Sequence, residues 1–221
     1  MISRAVGVLR LGQRVFGPEQ LLVMAVVSAG DPAAAIERVH EVTAEGAEAV
    51  EISGRPGADA RAEIGRIVPF VAAAREAHPG LVIGVSTGRP EVARAACAAG
   101  ADLLSGSGSG LAGVAAETGA GVVCPPGSAE RAAQAGVEPE RIIVSLEPIR
   151  GLEELVATGW PVLISPSDRE PAGSLATAAL AAWLGARVFR VDQVLQTRRA
   201  LRMISAIRGD IPPAYAVRGL A

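Results

Sequence analysis

The chain has 221 residues, 50% of them hydrophobic and 3% aromatic, with a formal net charge of -2, enough for one large core of small aliphatic side chains. It contains no lysine and no asparagine, so all 21 basic residues are arginine, which excludes Schiff-base chemistry, a phosphate-loop lysine and an asparagine-held metal. Balanced charge, few aromatics and no apolar run of about 20 residues point away from nucleic acid and membrane as partners, and a soluble, cytoplasmic protein is expected.

Residues 1–20 alternate arginine and glycine with short apolar pieces, which reads as a small hairpin and not as a signal core. From residue 21 onward, β-branched and leucine-rich runs alternate with alanine-rich amphipathic stretches at a period of about 25 residues. Eight strands are predicted, at 21–27, 48–52, 81–85, 102–104, 121–124, 141–144, 161–164 and 187–191. Helices follow, most clearly at 32–45, 60–77, 90–99, 111–118, 173–184 and 194–207. Gly46, Gly80, Gly100, Gly119, Gly136, Gly159 and Gly185 each suit a left-handed cap before the next strand. Eight parallel strands, each with its helix, predict an α/β fold of the (β/α)8 TIM-barrel type. A doubly wound open sheet is the competing fold, but eight units exceed its usual six and no linker divides the chain. One domain is expected over 1–221, with the N-terminal hairpin of 1–20 plugging the bottom of the barrel. Cys97 and Cys124 fall in separate elements without CxxC spacing, so neither a disulfide framework nor a zinc site is expected.

Several segments, in order and spacing, resemble the dihydropteroate synthase family, pterin-binding barrels that join a pterin pyrophosphate to p-aminobenzoate. They are Leu22–Ser28 in the first strand, Ala47–Ala58 with its Arg55-Pro56-Gly57, Ile83–Ala93, Ala99–Leu104, and Gly185–Val194 with Arg190 in the family's arginine place. The resemblance covers nearly the whole chain.

Barrel sites lie at the C-terminal ends of the strands, and there this chain departs from the family. The resemblance implies acidic or amide side chains at the ends of strands three, four and six, where Ser86, Ser105 and Ser145 stand. A serine hydroxyl cannot supply the bidentate charged acceptor that a pterin's donor edge needs. The family's magnesium-binding asparagine is Ser28, a poor anchor for that ion, so no cofactor is expected. Ser167-Asp168-Arg169 replaces a serine-arginine-lysine, and Asp192 replaces a histidine, placing negative charge where a pyrophosphate would sit. The first loop is only Ser28 to Asp31, the second is trimmed, and Glu147-Pro148-Ile149-Arg150 stands in place of a glycine-rich loop with a lysine. Shortening three loops removes the means of excluding water.

Arg55 and Arg190 match family positions that contact anionic groups, and arginine forks suit phosphate or carboxylate. The competing reading, which carries more weight, is that they pair with Glu51, Asp168 or Asp192 as rim ion pairs. Ser28, Ser53, Ser86, Ser105, Ser145 and Ser165 end six strands and would line a hydroxyl-rich mouth, holding water or a small polar ligand. Gly108 to Gly113 spells GxGxxG, but no acidic residue ends the next strand, so a glycine-rich turn is preferred to a dinucleotide site. Cys124 has no histidine near it at any strand end and reads as an apolar filler. Trp160 and Trp183 are candidates for a surface, Trp183 for a homodimer interface through the last helices, as the resemblance implies, with core packing the equally weighted alternative.

The expectation is a dihydropteroate-synthase-like barrel without standard synthase activity. It would serve as a binding or regulatory homologue, the expected partners being a small anionic or pterin-like ligand and a second copy of the chain. Two alternatives stay open. One is a retained synthase or related small-molecule transferase of folate-type biosynthesis, working through Arg55, Arg190 and the serines. The other is an unrelated barrel enzyme using two of Glu51, Glu147, Asp168 and Asp192 as acid and base.

Overall fold

A computed structural model describes residues 7–53, 59–166 and 170–212. The chain opens with a hairpin, β1 (Leu9–Leu11) against β2 (Arg14–Phe16), antiparallel with Leu9 opposite Phe16. Eight parallel strands then close into a barrel: β3 (Leu22–Ser28), β4 (Ala49–Ser53), β5 (Val82–Ser86), β6 (Leu103–Ser105), β7 (Gly121–Cys124), β8 (Ile142–Leu146), β9 (Val162–Ile164) and β10 (Val188–Val191), with β10 pairing back onto β3. The helices are α1 (Pro32–Ala44), α2 (Ala60–Ala77), α3 (Pro90–Ala98), α4 (Leu111–Thr118), α5 (Ala129–Gln134), α6 (Leu152–Val156), α7 (Pro171–Trp183) and α8 (Val194–Arg208). The predicted barrel and hairpin are therefore the observed ones, with strand ends shifted by one or two residues.

Strand alternation sorts the apolar side chains into two cores. Leu22, Met24, Ala49, Val82, Leu103, Val123, Ile143, Leu163 and Val188 point into the barrel, where Leu9, Leu11 and Phe16 of the hairpin join them. Their neighbours in sequence, such as Val23, Val50, Ile83 and Phe189, face outward onto Val39, Ile67, Val71 and Leu201 of the helices. The hairpin thus closes the end of the barrel where the strands begin. Leu11 is wholly buried there.

That same end is tied by charge. Asp102, just before β6, accepts the Ile83 amide at 2.9 Å and pairs with Arg75 of α2. Arg75 also donates to the carbonyls of Leu81 (2.8 Å) and Gly100 (2.9 Å). Glu48, before β4, repeats the device by accepting the Val23 amide at 2.9 Å and pairing with Arg198 of α8, which also donates to the Gly46 carbonyl at 2.6 Å. In both, a carboxylate and an arginine satisfy backbone groups at strand starts that regular pairing leaves open.

Two expectations need correction. Gly80 is absent from the positive-φ glycines, whereas the other six proposed caps are among them. α2 ends instead on His78, whose carbonyl receives the Leu81 amide at 3.1 Å. Trp160 is not a surface residue: it is buried in the core around α4 and α5, and its indole N–H donates to Glu130 at 3.1 Å. Its partner lies 30 residues away in sequence, so its local context held no sign of that contact.

Candidate functional site

At the opposite end, the inward alternation turns polar one layer above the apolar plug. Glu51 in β4 is two residues beyond Ala49, Ser105 in β6 two beyond Leu103, Ser145 in β8 two beyond Ile143, and Arg190 in β10 two beyond Val188, so all four enter the barrel mouth. Glu51 is 3% exposed. Its Oε1 accepts the Ser105 hydroxyl at 2.6 Å and its Oε2 lies 3.2 Å from Arg190 Nε. A buried carboxylate with a cation on one oxygen and a hydroxyl on the other is well compensated. Each of its two oxygens already has a partner.

Above this network lies a cavity of about 420 Å³ lined by Ser86, Ser105, Gly106, Ser107, Val123, Cys124, Pro125, Pro126, Ser145, Leu146, Glu147 and Arg190. Of the residues predicted from the sequence, the structure brings Ser86, Ser105, Ser145, Glu147 and Arg190 together on this cavity, with Glu51 beneath them. Ser28 and Asp192 do not join the lining. Ser28 is exposed at the end of β3, and Asp192 is exposed past β10, with its backbone carbonyl accepting Arg38 at 3.2 Å. Arg55, Asp168 and Arg169 lie outside the described residues. For Arg190, the ion-pair reading with Glu51 is the observed one, and Asp192 takes no part in it among the described contacts.

Cys124 ends β7 at the cavity rim and packs with the helix-side core, and burial pushes its thiol up to about 11. The neutral thiol donates to the Ile143 carbonyl at 3.6 Å. A thiol in that state is no nucleophile near neutral pH, which agrees with its reading as a filler.

The GxGxxG stretch also has a structural explanation. A side chain on Gly108 would meet the Gly88 carbonyl oxygen at 2.1 Å, and Gly110 caps α4 with φ 99°. These glycines let the loop after β6 lie against the loop after β5, and no dinucleotide is needed to account for them.

Sequence reasoning missed two features. Glu63, buried in the first turn of α2, accepts the Thr87 hydroxyl at 2.7 Å and pairs with Arg89, bracing the loop that follows Ser86. The three residues lie 24 and 26 positions apart, too far for a local pattern to link them. The other is the apolar wall of Pro125, Pro126 and Leu146; the Pro-Pro pair ending β7 was its only visible signal.

A family model described as pterin binding enzyme matches residues 24–126. The chain is 37% identical to the Inactive dihydropteroate synthase 2 of Mycobacterium leprae (strain TN), over 85% of this chain and 87% of that relative. It is 30% identical to the Dihydropteroate synthase of the same organism, over 80% of this chain and 86% of that relative. The solved structure of Mycobacterium tuberculosis Rv1207 superposes with a TM-score of 0.84 at 39% identity, covering 92% of this chain and 99% of that one.

Proposed function

The chain belongs to the dihydropteroate synthase family, and we propose that it is a binding or regulatory homologue without standard synthase activity. The observation that carries this reading is the mouth of the barrel. Serines hold three positions where the family resemblance calls for acidic or amide acceptors, and the buried carboxylate present, Glu51, is already taken up by Arg190 and Ser105. The printed name of the mycobacterial relative, an inactive synthase, points the same way. A pterin would lose several charge-assisted hydrogen bonds here, each contributing about 1.5–3 kcal/mol.

What remains is a mouth suited to a small polar ligand, anionic or pterin-like. Serine hydroxyls donate and accept, and the Arg190 guanidinium has further N–H groups beyond the Nε that faces Glu51. Magnesium does not fit the donors described at the end of β3, where Ser28 offers one exposed hydroxyl and no carboxylate. The protein is read as working in the cytoplasm; among the described residues no helix is long and apolar enough to cross a membrane.

The homodimer reading rests on the last two helices. Leu180, Trp183, Met203 and Ile207 are each at least half exposed. Arg208 donates to the Ala182 carbonyl at 3.0 Å, which sets the ends of α7 and α8 side by side. These exposed apolar side chains near the two helix ends are the surface the dimer reading assigns to the second copy.

The deciding experiment is an assay with a pterin pyrophosphate and p-aminobenzoate, alongside calorimetric titration of each. The expected result is no condensation product and pterin binding weaker than micromolar; turnover or micromolar pterin binding would overturn the reading. Light scattering tests the assembly: the wild type is expected as a dimer and Trp183→Glu as a monomer, and a monomeric wild type would overturn it.

A further inference from the structure

The chain has two histidines, and the fold brings them together on the outside of the barrel, away from the mouth. His40 lies on the exposed side of α1, and His78 caps the C-terminus of α2. His78 Nε2 stands 2.8 Å from His40 Nδ1, with ring centroids 4.7 Å apart and ring planes tilted by 54°. This contact is one hydrogen bond between the two rings. The contact also holds one nitrogen of each ring within reach of a common ion once the hydrogen bond opens.

We propose that His40 and His78 form a surface binding site for a tetragonal divalent cation of the copper(II) or nickel(II) type. Two histidine nitrogens would occupy cis positions and water the others. Imidazole is a favoured ligand for these ions, and copper(II) heads the affinity order of the first-row divalent metals at a nitrogen site, above zinc. A modest rotation of the two rings turns their lone pairs from facing each other to converging beside the N···N line. Exposure of the rings leaves room for the ion and its waters.

The framework is set before the ion arrives. The His78 amide donates to Ala74 at 2.9 Å and its carbonyl accepts the Leu81 amide at 3.1 Å, while His40 sits within a regular helix. Ligands carried on fixed elements lose less freedom on binding. Among the described residues no third histidine, cysteine or carboxylate completes the group, so the site is an open, two-ligand one.

The test is titration of the chelator-stripped full chain with Cu²⁺, followed by calorimetry and electron paramagnetic resonance. The expected result is one equivalent bound with a tetragonal spectrum coupled to two imidazole nitrogens, and weaker uptake of Zn²⁺. His40→Ala and His78→Ala should each lose that signal while circular dichroism stays unchanged, since both changes are at the surface. Absence of stoichiometric uptake by the wild type, or uptake unchanged in both variants, would overturn the proposal.

Discussion

The two ends of this barrel use the same ingredients, carboxylate and arginine, to opposite effect. Where the strands begin, Asp102 with Arg75 and Glu48 with Arg198 are wired into the backbone through the amides of Ile83 and Val23 and the carbonyls of Leu81, Gly100 and Gly46. Where the strands end, Glu51 and Arg190 hold each other and a serine hydroxyl, and above them lies a cavity. One end is a clamp and the other a neutralised pocket. The same pairing of charges therefore carries different meaning according to what the remaining hydrogen-bonding groups reach.

The largest expected effect comes from the plug that closes the clamped end. Leu11→Ala leaves a void walled by barrel side chains that cannot collapse, and should cost about 2–5 kcal/mol in denaturant unfolding. Next is the paired replacement Arg75→Met with Asp102→Leu. It strands the Ile83 amide and two or more carbonyls, so a loss of about 3 kcal/mol and a Tm lower by roughly 6–12 °C are expected. The matching replacement at the mouth, Glu51→Leu with Arg190→Met and Ser105→Ala, should stay within about 1 kcal/mol of wild type, because both charges and the hydroxyl that Glu51 accepts leave together and no backbone group among the described residues depended on them. Equal losses for the two replacements in thermal unfolding would erase the distinction between the ends.

The smallest effect belongs to His78. Its folded pKa is lowered by burial and by His40, so the unfolded chain takes up a proton first as the pH falls. The stability this group contributes is complete above its ordinary value of about 6.5 and is lost as the pH drops from there toward the folded value. His78→Gln should flatten a shallow decline in stability between about pH 7 and 5, seen as the difference between variant and wild type in parallel melts.

Much of the barrel was legible because strand and helix periodicity is local. The run from Leu22 to Ser28, the short turn to Asp31 and the proline that starts α1 can be read within a dozen residues. Where local reading failed, a distant partner decided the outcome. Trp160 looked like a surface residue because nothing beside it announced Glu130, and the end of α2 looked like a glycine cap although His78 had already closed it. Of the site candidates, Ser86, Ser105, Ser145, Glu51 and Arg190 could be named from their places at or near strand ends. The Glu63, Thr87 and Arg89 brace could not, because its members come from two elements.

The sequence by itself determined the repeating unit, the inward and outward alternation, the absence of lysine and asparagine, and the serines at the ends of strands three, four and six. These follow from residue type and spacing along one segment. The tertiary structure decided that Arg190 rests on Glu51, that Asp192 stands apart, and that the two histidines meet. Barrel closure, by pairing β10 with β3, brings residues from opposite ends of the chain within hydrogen-bonding distance, and no pattern along the chain measures that distance.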